Sequence, residues 1–335
     1  MPNYRIEIDG SGETIDCPAG HTLLHAALRQ GFGFPYECSS GSCGTCQFQL
    51  LAGEMNNLWP DAPGLSDRAR RKGDRWLACQ SIACSNALIR VTIDERCKPL
   101  VKPDVELVTL VEVRPMTRDM YQFHFRGGRP ADFVPGQYIL LDNPAVPGAR
   151  AYSMRNLPNG DGEWQLIIKR KAGGALTRHL FEDARPGDRF RLRGPYGTAV
   201  LDEAMTNIVC IAGGSGLSPM LSIVHGLLAR TDGTSRSAQL FYGGRHEQDI
   251  VELPSLVEEC KASRSFEYIP AVSEAAGSRW TGERGYIHEI AERRMATGHD
   301  THIFIAGPPP MIQAALAMLE GRGVARSHIH FDSFY

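Results

Sequence analysis

The sequence predicts a multidomain chain of mixed class: a small α+β unit, an antiparallel β-barrel and a doubly wound parallel α/β unit, in that order. Three observations predict it. The hydrophobic period changes twice, from strands around one short helix, to regularly spaced short strands, to apolar strands alternating with helices. A polar segment with two prolines, Cys97-Lys98-Pro99-Leu100-Val101-Lys102-Pro103-Asp104, falls at the first change and reads as a linker. The length, 335 residues, suits two or three domains of about 100 to 200 residues each. The resulting boundaries are residues 1–97, a linker at 98–104, the barrel at 105–203 and the last unit at 204–335.

In the first unit, alternation predicts strands at Tyr4 to Ile8 and near Glu13 to Asp16 around an Asp9-Gly10-Ser11-Gly12 turn. A helix is expected over Thr22 to Gln30, with further strands at Gln47 to Leu51 and Leu88 to Ile93. The charged stretch Ser66 to Asp74 reads as a solvated helix face. In the second unit, strands at Glu106 to Arg114, Met120 to Arg126, Tyr138 to Leu141, Trp164 to Lys169 and Arg189 to Arg193 suggest a barrel. In the third, strands at Ile208 to Ala212, Ala238 to Tyr242, Ser265 to Pro270 and Thr301 to Ala306 are near-continuously apolar. They alternate with helices at Pro219 to Leu228, Leu253 to Cys260, Tyr286 to Arg294 and Pro310 to Leu319, the pattern of a parallel sheet covered on both faces.

The formal net charge is −2, with both signs interspersed, which argues against nucleic acid or an anionic membrane as the main partner. Small molecules and another protein are the expected partners. The first residues contain no apolar stretch long enough for a signal or a membrane span, so a cytoplasmic monomer is expected.

Cys38, Cys43 and Cys46 follow the spacing C-x4-C-x2-C inside Glu37-Cys38-Ser39-Ser40-Gly41-Ser42-Cys43-Gly44-Thr45-Cys46, the plant-type spacing for thiolates around a [2Fe–2S] cluster. Small residues at Gly41, Ser42, Gly44 and Thr45 let main-chain N–H groups approach the sulfides. A zinc site usually shows two short Cys-x-x-Cys pairs, and cytosolic disulfides are rare. Cys79 and Cys84 both compete for the fourth position; Cys17, Cys97, Cys210 and Cys260 lack metal spacing, and most of the remaining cysteines are expected to be buried apolar residues.

Gly213-Gly214-Ser215-Gly216-Leu217-Ser218-Pro219 stands between a strand and a helix pattern, where free N–H groups and a helix dipole suit a pyrophosphate and Pro219 fits the first helical turn. Pro219 occupies the place of the third glycine in a G-x-G-x-x-G fingerprint, which points away from a standard Rossmann unit. Arg150-Ala151-Tyr152-Ser153 offers a cation, an aromatic face and a hydroxyl; in a strand, Arg150 and Tyr152 share one face, a set that suits a flavin. Gly173-Gly174-Ala175-Leu176-Thr177 precedes a short helical pattern that Thr177 is expected to cap, making a second pyrophosphate position.

With these motifs in this order, the chain resembles the three-module reductases that serve bacterial multicomponent oxygenases, in which a plant-type ferredoxin domain is fused to a ferredoxin–NADP reductase-like pair of FAD and nicotinamide domains. The resemblance spans essentially the whole chain. It implies a β-grasp-like ferredoxin fold for the first unit, FAD binding in the barrel and NAD binding in the last unit. It also implies that Cys38, Cys43, Cys46 and Cys79 hold the cluster, so Cys79 is preferred over Cys84. Arg150, Tyr152 and Ser153 match the motif for FAD phosphate and isoalloxazine, with Ser153 near the flavin N5, and Gly174 and Thr177 match the flavin pyrophosphate site. Pro135-Gly136-Gln137-Tyr138 matches the entry to the flavin strand, and Gly194-Pro195-Tyr196-Gly197 the close of the barrel. Gly213, Gly214, Gly216 and Pro219, with Gly307 and Pro308, match the two halves of the nicotinamide site. Phe334 aligns with a ring set against the flavin, a catalytic position beside Ser153, and Asp332 with a carboxylate near the active centre. The family usually carries cysteine where this chain has Ala306.

The implied activity is NADH oxidation through FAD, with single electrons leaving through the [2Fe–2S] cluster to an oxygenase or an intermediary ferredoxin in aromatic hydrocarbon catabolism. NADPH is not excluded: Arg245 suits a 2′-phosphate, and Glu247 or Asp249 a ribose. A Rieske dioxygenase is the first expectation for the acceptor, with a diiron monooxygenase or a deoxysugar dehydratase as alternatives. An enzyme reducing its own organic substrate and a redox-sensing regulatory module rank below.

Overall fold

The structure, a computed structural model, describes residues 2–252, 265–275, 279–296, 298 and 300–334. The first unit holds strands β1 (Asn3–Ile8), β2 (Thr14–Pro18), β3 (Gln47–Ala52), β4 (Met55–Asn57), β5 (Arg75–Leu77), β6 (Ser81–Ala83) and β7 (Ala87–Arg90), with helices α1 (Leu23–Arg29) and α2 (Asp67–Lys72). The main sheet runs β2-β1-β7-β3-β5, with β1 and β7 parallel and the other pairs antiparallel. Alternation does what it predicts here: Ile6, Ile8, Ile15 and Cys17 are buried, while Arg5, Glu7 and Asp16 face water. Helix α1 starts where the Thr22 side chain accepts from the His25 N–H (3.3 Å), and it buries Leu23, Leu24, Ala27 and Leu28 beneath the sheet. Helix α2 is capped by Ser66 and buries nothing, so the charged stretch is indeed a solvated helix.

The second unit is an antiparallel sheet of β8 (Asp104–Pro115), β9 (Met120–Arg126), β10 (Tyr138–Asn143), β11 (Val146–Ser153), β12 (Glu163–Lys169) and β13 (Arg189–Tyr196), in the order β11-β10-β13-β8-β9-β12. It curls until Met154 pairs with Leu166, bringing its two edges together around Phe123, Phe125, Leu166, Phe190 and Leu192. A short helix, α3 (Ala175–Arg178), follows β12.

The third unit is a parallel sheet, β17-β16-β15-β14-β18-β19, made of β14 (Asn207–Gly213), β15 (Ser237–Gly244), β16 (Phe266–Val272), β17 (Glu283–Arg284), β18 (Thr301–Gly307) and β19 (Ile329–Ser333). Helix α4 (Leu217–Leu228) covers one face, packing with Cys210, Leu240 and Phe304; α5 (Ile287–Arg294) and α6 (Pro309–Gly321) cover the other with Val209, Ile211 and Phe241. Burial on both faces explains the near-continuous apolar runs.

The helix expected at Leu253 to Cys260 lies outside the described residues. Strands β4, β5, β6 and β17, at two or three residues each, are too short to carry a period, and β11 and β19 also went unassigned. Among the four described cysteines outside the quartet, Cys17 and Cys210 are buried, Cys84 is exposed and Cys97 is half-buried; Cys260 lies outside the described residues. Among the described residues no helix is long and apolar enough to cross a membrane.

Candidate functional site

Three thiols from the loop between α1 and β3 and a fourth, Cys79, from the turn between β5 and β6 come together as two pairs. The Cys43 N–H approaches Cys38 Sγ at 3.3 Å and the Cys38 N–H approaches Cys43 Sγ at 3.5 Å; Cys46 Sγ lies 3.4 Å from Cys79 Sγ. Two thiolates about 2.3 Å from one tetrahedral ion stand roughly 3.7 Å apart, so the Cys46–Cys79 spacing fits one iron of a two-iron cluster, and the adjacent Cys38 and Cys43 are placed for the other. Among the described residues no three His, Cys, Asp or Glu side chains converge as they would on a single ion. The Cys43 thiol donates to Cys38, which lowers the Cys38 pKa, and the same contact raises that of Cys43. Close backbone packing sustains the loop. Gly44, at φ +82°, would place a Cβ 2.5 Å from the Gly64 carbonyl oxygen, so only glycine fits there.

Beyond this loop opens a cavity of about 1350 Å³ shared by all three units. Its barrel wall includes Arg150, Tyr152 and Ser153 at the end of β11, with Gly174 and Thr177 across from them. Contrary to expectation, Thr177 is not the cap of α3; Gly174 holds that position, and the Thr177 hydroxyl donates back to the Gly174 carbonyl (3.1 Å). The nucleotide-side wall includes Gly213, Gly214, Pro308 and Phe334. The remaining predicted residues, Gly216, Pro219 and Gly307, stand behind the wall. A Cβ on Gly216 would lie 2.0 Å from the Ala306 carbonyl oxygen, so the loops after β14 and β18 pack backbone to backbone, and Pro219 sits buried in the first turn of α4. Of the four thiol residues, Cys38 lines the cavity, together with Ser40 and Ser42.

The units are tied at Ser153. Its carbonyl accepts from the Ser218 hydroxyl of α4 (2.7 Å), and its own hydroxyl donates to Asp332 Oδ2 (3.3 Å). Burial, then the nearby Glu37 and Cys38, pushes Asp332 up to about 7, so this carboxyl holds a proton near neutrality. The Phe334 N–H donates to the Gly307 carbonyl (3.1 Å), which fixes the chain end against the second nucleotide loop. Sequence reasoning missed cavity residues Trp59, Arg118, Lys169, Tyr286 and His288 as site members; none belongs to a local motif.

Comparison with known proteins agrees with this geometry. Residues 6–84 match the 2Fe-2S iron-sulfur cluster binding domain, 107–200 the oxidoreductase FAD-binding domain and 210–316 the oxidoreductase NAD-binding domain. The ferredoxin--NAD(P)(+) reductase CarAd of Metapseudomonas resinovorans is 40% identical, over 99% of this chain and 100% of that protein. The ferredoxin--NAD(+) reductase component of the alkene monooxygenase system of Xanthobacter autotrophicus is 37% identical, over 96% of this chain and 98% of that protein. The chain belongs to this family of oxygenase-system reductases. Among solved structures, the ferredoxin reductase in carbazole 1,9a-dioxygenase superposes with a TM-score of 0.91 at 38% identity, covering 100% of this chain and 99% of that one. The reductase is an NAD(P)H oxidoreductase and electron-transfer component of a multicomponent oxygenase system, with FAD, a [2Fe–2S] cluster and NAD(H) as cofactors, as the motifs imply.

Proposed function

We propose that this reductase takes electrons from NADH at the Gly213 and Gly307 loops, and that its FAD lies along Arg150, Tyr152, Ser153, Gly174 and Thr177. Cys38, Cys43, Cys46 and Cys79 then hold the cluster from which electrons leave for a Rieske-type oxygenase or its intermediary ferredoxin. The carrying observation is that Cys38 lines the same cavity as Ser153 and the Gly213 loop. FAD, when bound, accepts electrons in pairs and releases them singly. The chain does the rest. The Arg150 guanidinium supplies a cation for phosphate, Tyr152 a ring face, and Ser153 a hydroxyl held by its hydrogen bond to Asp332 Oδ2. Gly213 and Gly214 leave backbone room for pyrophosphate, and Phe334 is set to cover the ring system from the nucleotide side.

The carbazole dioxygenase neighbour supports a dioxygenase acceptor, and the alkene monooxygenase relative supports a monooxygenase as the second reading. The domain limits of the three units, residues 1–97, 105–203 and 204–335, and a cytoplasmic monomer drawing on the cell's NADH are part of the same proposal; the separate sheets support the limits to within one residue, since β8 already begins at Asp104. The test is an anaerobic NADH titration of purified protein with iron and flavin quantified, followed by visible absorbance and EPR. Flavin bleaching with a rhombic reduced-cluster signal is expected, and an oxidised cluster beside reduced flavin refutes the path.

A further inference from the structure

The first residue of β10 joins the cluster loop to the cavity. Tyr138 pairs with Ser153 on one side and Tyr196 on the other, is 3% exposed, and presents part of its side chain to the cavity. Its hydroxyl reaches out of the barrel into the cluster loop, donating to the Glu37 carbonyl and meeting Ser39 Oγ at 2.8 Å. Those two residues flank Cys38, the thiol that faces the cavity. Ser39 is held at φ +51°, the single positive φ among the described non-glycine residues, and is itself 3% exposed. A side chain in that region persists only where its surroundings over-determine it, and the Tyr138 hydroxyl is such a constraint. A second clasp lies beside it: the Gly197 N–H donates to the Tyr36 hydroxyl (2.9 Å), and the Tyr196 hydroxyl pairs with His25 Nδ1 (2.7 Å).

We infer that Tyr138 is a positioning residue for electron transfer within the chain: it hangs the Cys38 turn on β10, the strand paired with the one that carries the flavin site, and so fixes the cluster loop's distance and orientation. The inference rests on the proposed NADH-to-cluster path and assigns one side chain to its internal step. The step would pass one electron at a time from FAD to the cluster, so the hydride from each NADH, which leaves as NAD+, would supply two such transfers. Tyr138 neither gains nor loses an electron. Burial holds its phenol well above the ordinary range, so it stays a donor at working pH.

The experiment uses the full chain with both cofactors. Tyr138→Phe keeps the ring and removes the hydroxyl; Ser39→Ala removes the other half of the contact. With Tyr138→Phe, stopped-flow flavin reduction by NADH and steady ferricyanide reduction stay at the wild-type rate. Cluster reduction and cytochrome c reduction fall about tenfold, the value of one buried hydrogen bond in the population of docked loops. The visible circular dichroism of the oxidised cluster, which reports loop geometry without turnover, changes in Tyr138→Phe and, to a smaller degree, in Ser39→Ala. Unchanged cluster reduction and dichroism overturn the inference. A parallel fall in flavin reduction also overturns it, since Tyr138 would then be acting on the flavin. Failure of NADH to reduce the cluster in the wild type itself would sink the proposed path instead, which separates the two failures.

Discussion

Gly216→Ala tests whether the loops after β14 and β18 hold one another in place. A Cβ at this position meets the Ala306 carbonyl oxygen at 2.0 Å and its carbon at 2.4 Å, where real contacts stay beyond 3.0 Å, so one backbone must retreat by about 1 Å. Neither strand has slack, because β14 and β18 pair from Asn207 to Ala212. Overpacking of this kind costs up to about 3 kcal/mol or more. At roughly 2 to 4 °C per kcal/mol, the unfolding step of the nucleotide unit drops by about 6 to 12 °C. A displacement of this size in a positioning loop costs up to about a hundredfold in kcat/KM. The assay is differential scanning calorimetry with NADH kinetics toward ferricyanide, and Gly321→Ala as the matched control. Gly321 ends α6 with nothing within 4 Å of its added Cβ, so alanine there is neutral or mildly stabilising. FAD and iron contents stay at wild-type levels in both variants. Wild-type melting and KM in Gly216→Ala would refute the reasoning, since the two loops would then be free to separate.

Cys79→Ser abolishes the cluster's visible absorbance and iron content, while Cys84→Ser leaves both intact; the reverse result moves the fourth ligand to the exposed cysteine. Arg150→Ala weakens FAD binding about 10- to 100-fold, the value of one or two charge-assisted hydrogen bonds, with the cluster retained; equal FAD affinity by fluorescence titration would remove Arg150 from the phosphate site. Asp332 gives a pH signature. Its folded pKa is raised from 3.8 to about 7, so the folded protein binds the extra proton between these values. The contribution of Asp332 to stability is therefore greatest below about pH 4, falls by up to ~4 kcal/mol as pH rises toward about 7, and is level above it. Asp332→Asn flattens this slope in thermal melts of flavin-free protein, and an unchanged slope would show that the carboxyl ionises normally.

What the sequence made legible was local. The cysteine spacing, the strand-loop-helix around Gly213 and the doubly buried apolar strands each lie within a few turns of chain, and each stands as read. What it hid was contact between distant residues. Ser153 meets Asp332 across 179 positions, and Ser39 meets Tyr138 across 99. No period or motif encodes such pairs; they arise because β19 adds to the far side of β18 and because β10 faces the cluster loop. Thr177 was misread for a related reason. A Ser or Thr ahead of a helical pattern usually caps it, but here the preceding glycines let the chain turn early, so the helix begins at Ala175 and the hydroxyl folds back on its own turn.

The cysteine loop has two sides. Cys38 borders the cavity, whereas Cys43 is half-buried and Thr45 is exposed to solvent. On the proposed path, current entering beside Cys38 would find another edge of the same few residues, at Thr45, open to solvent. The loop's inward edge at Cys38 and its outward edge at Thr45 are thus separate surfaces, so on that path fuel intake and delivery would not compete for the same face.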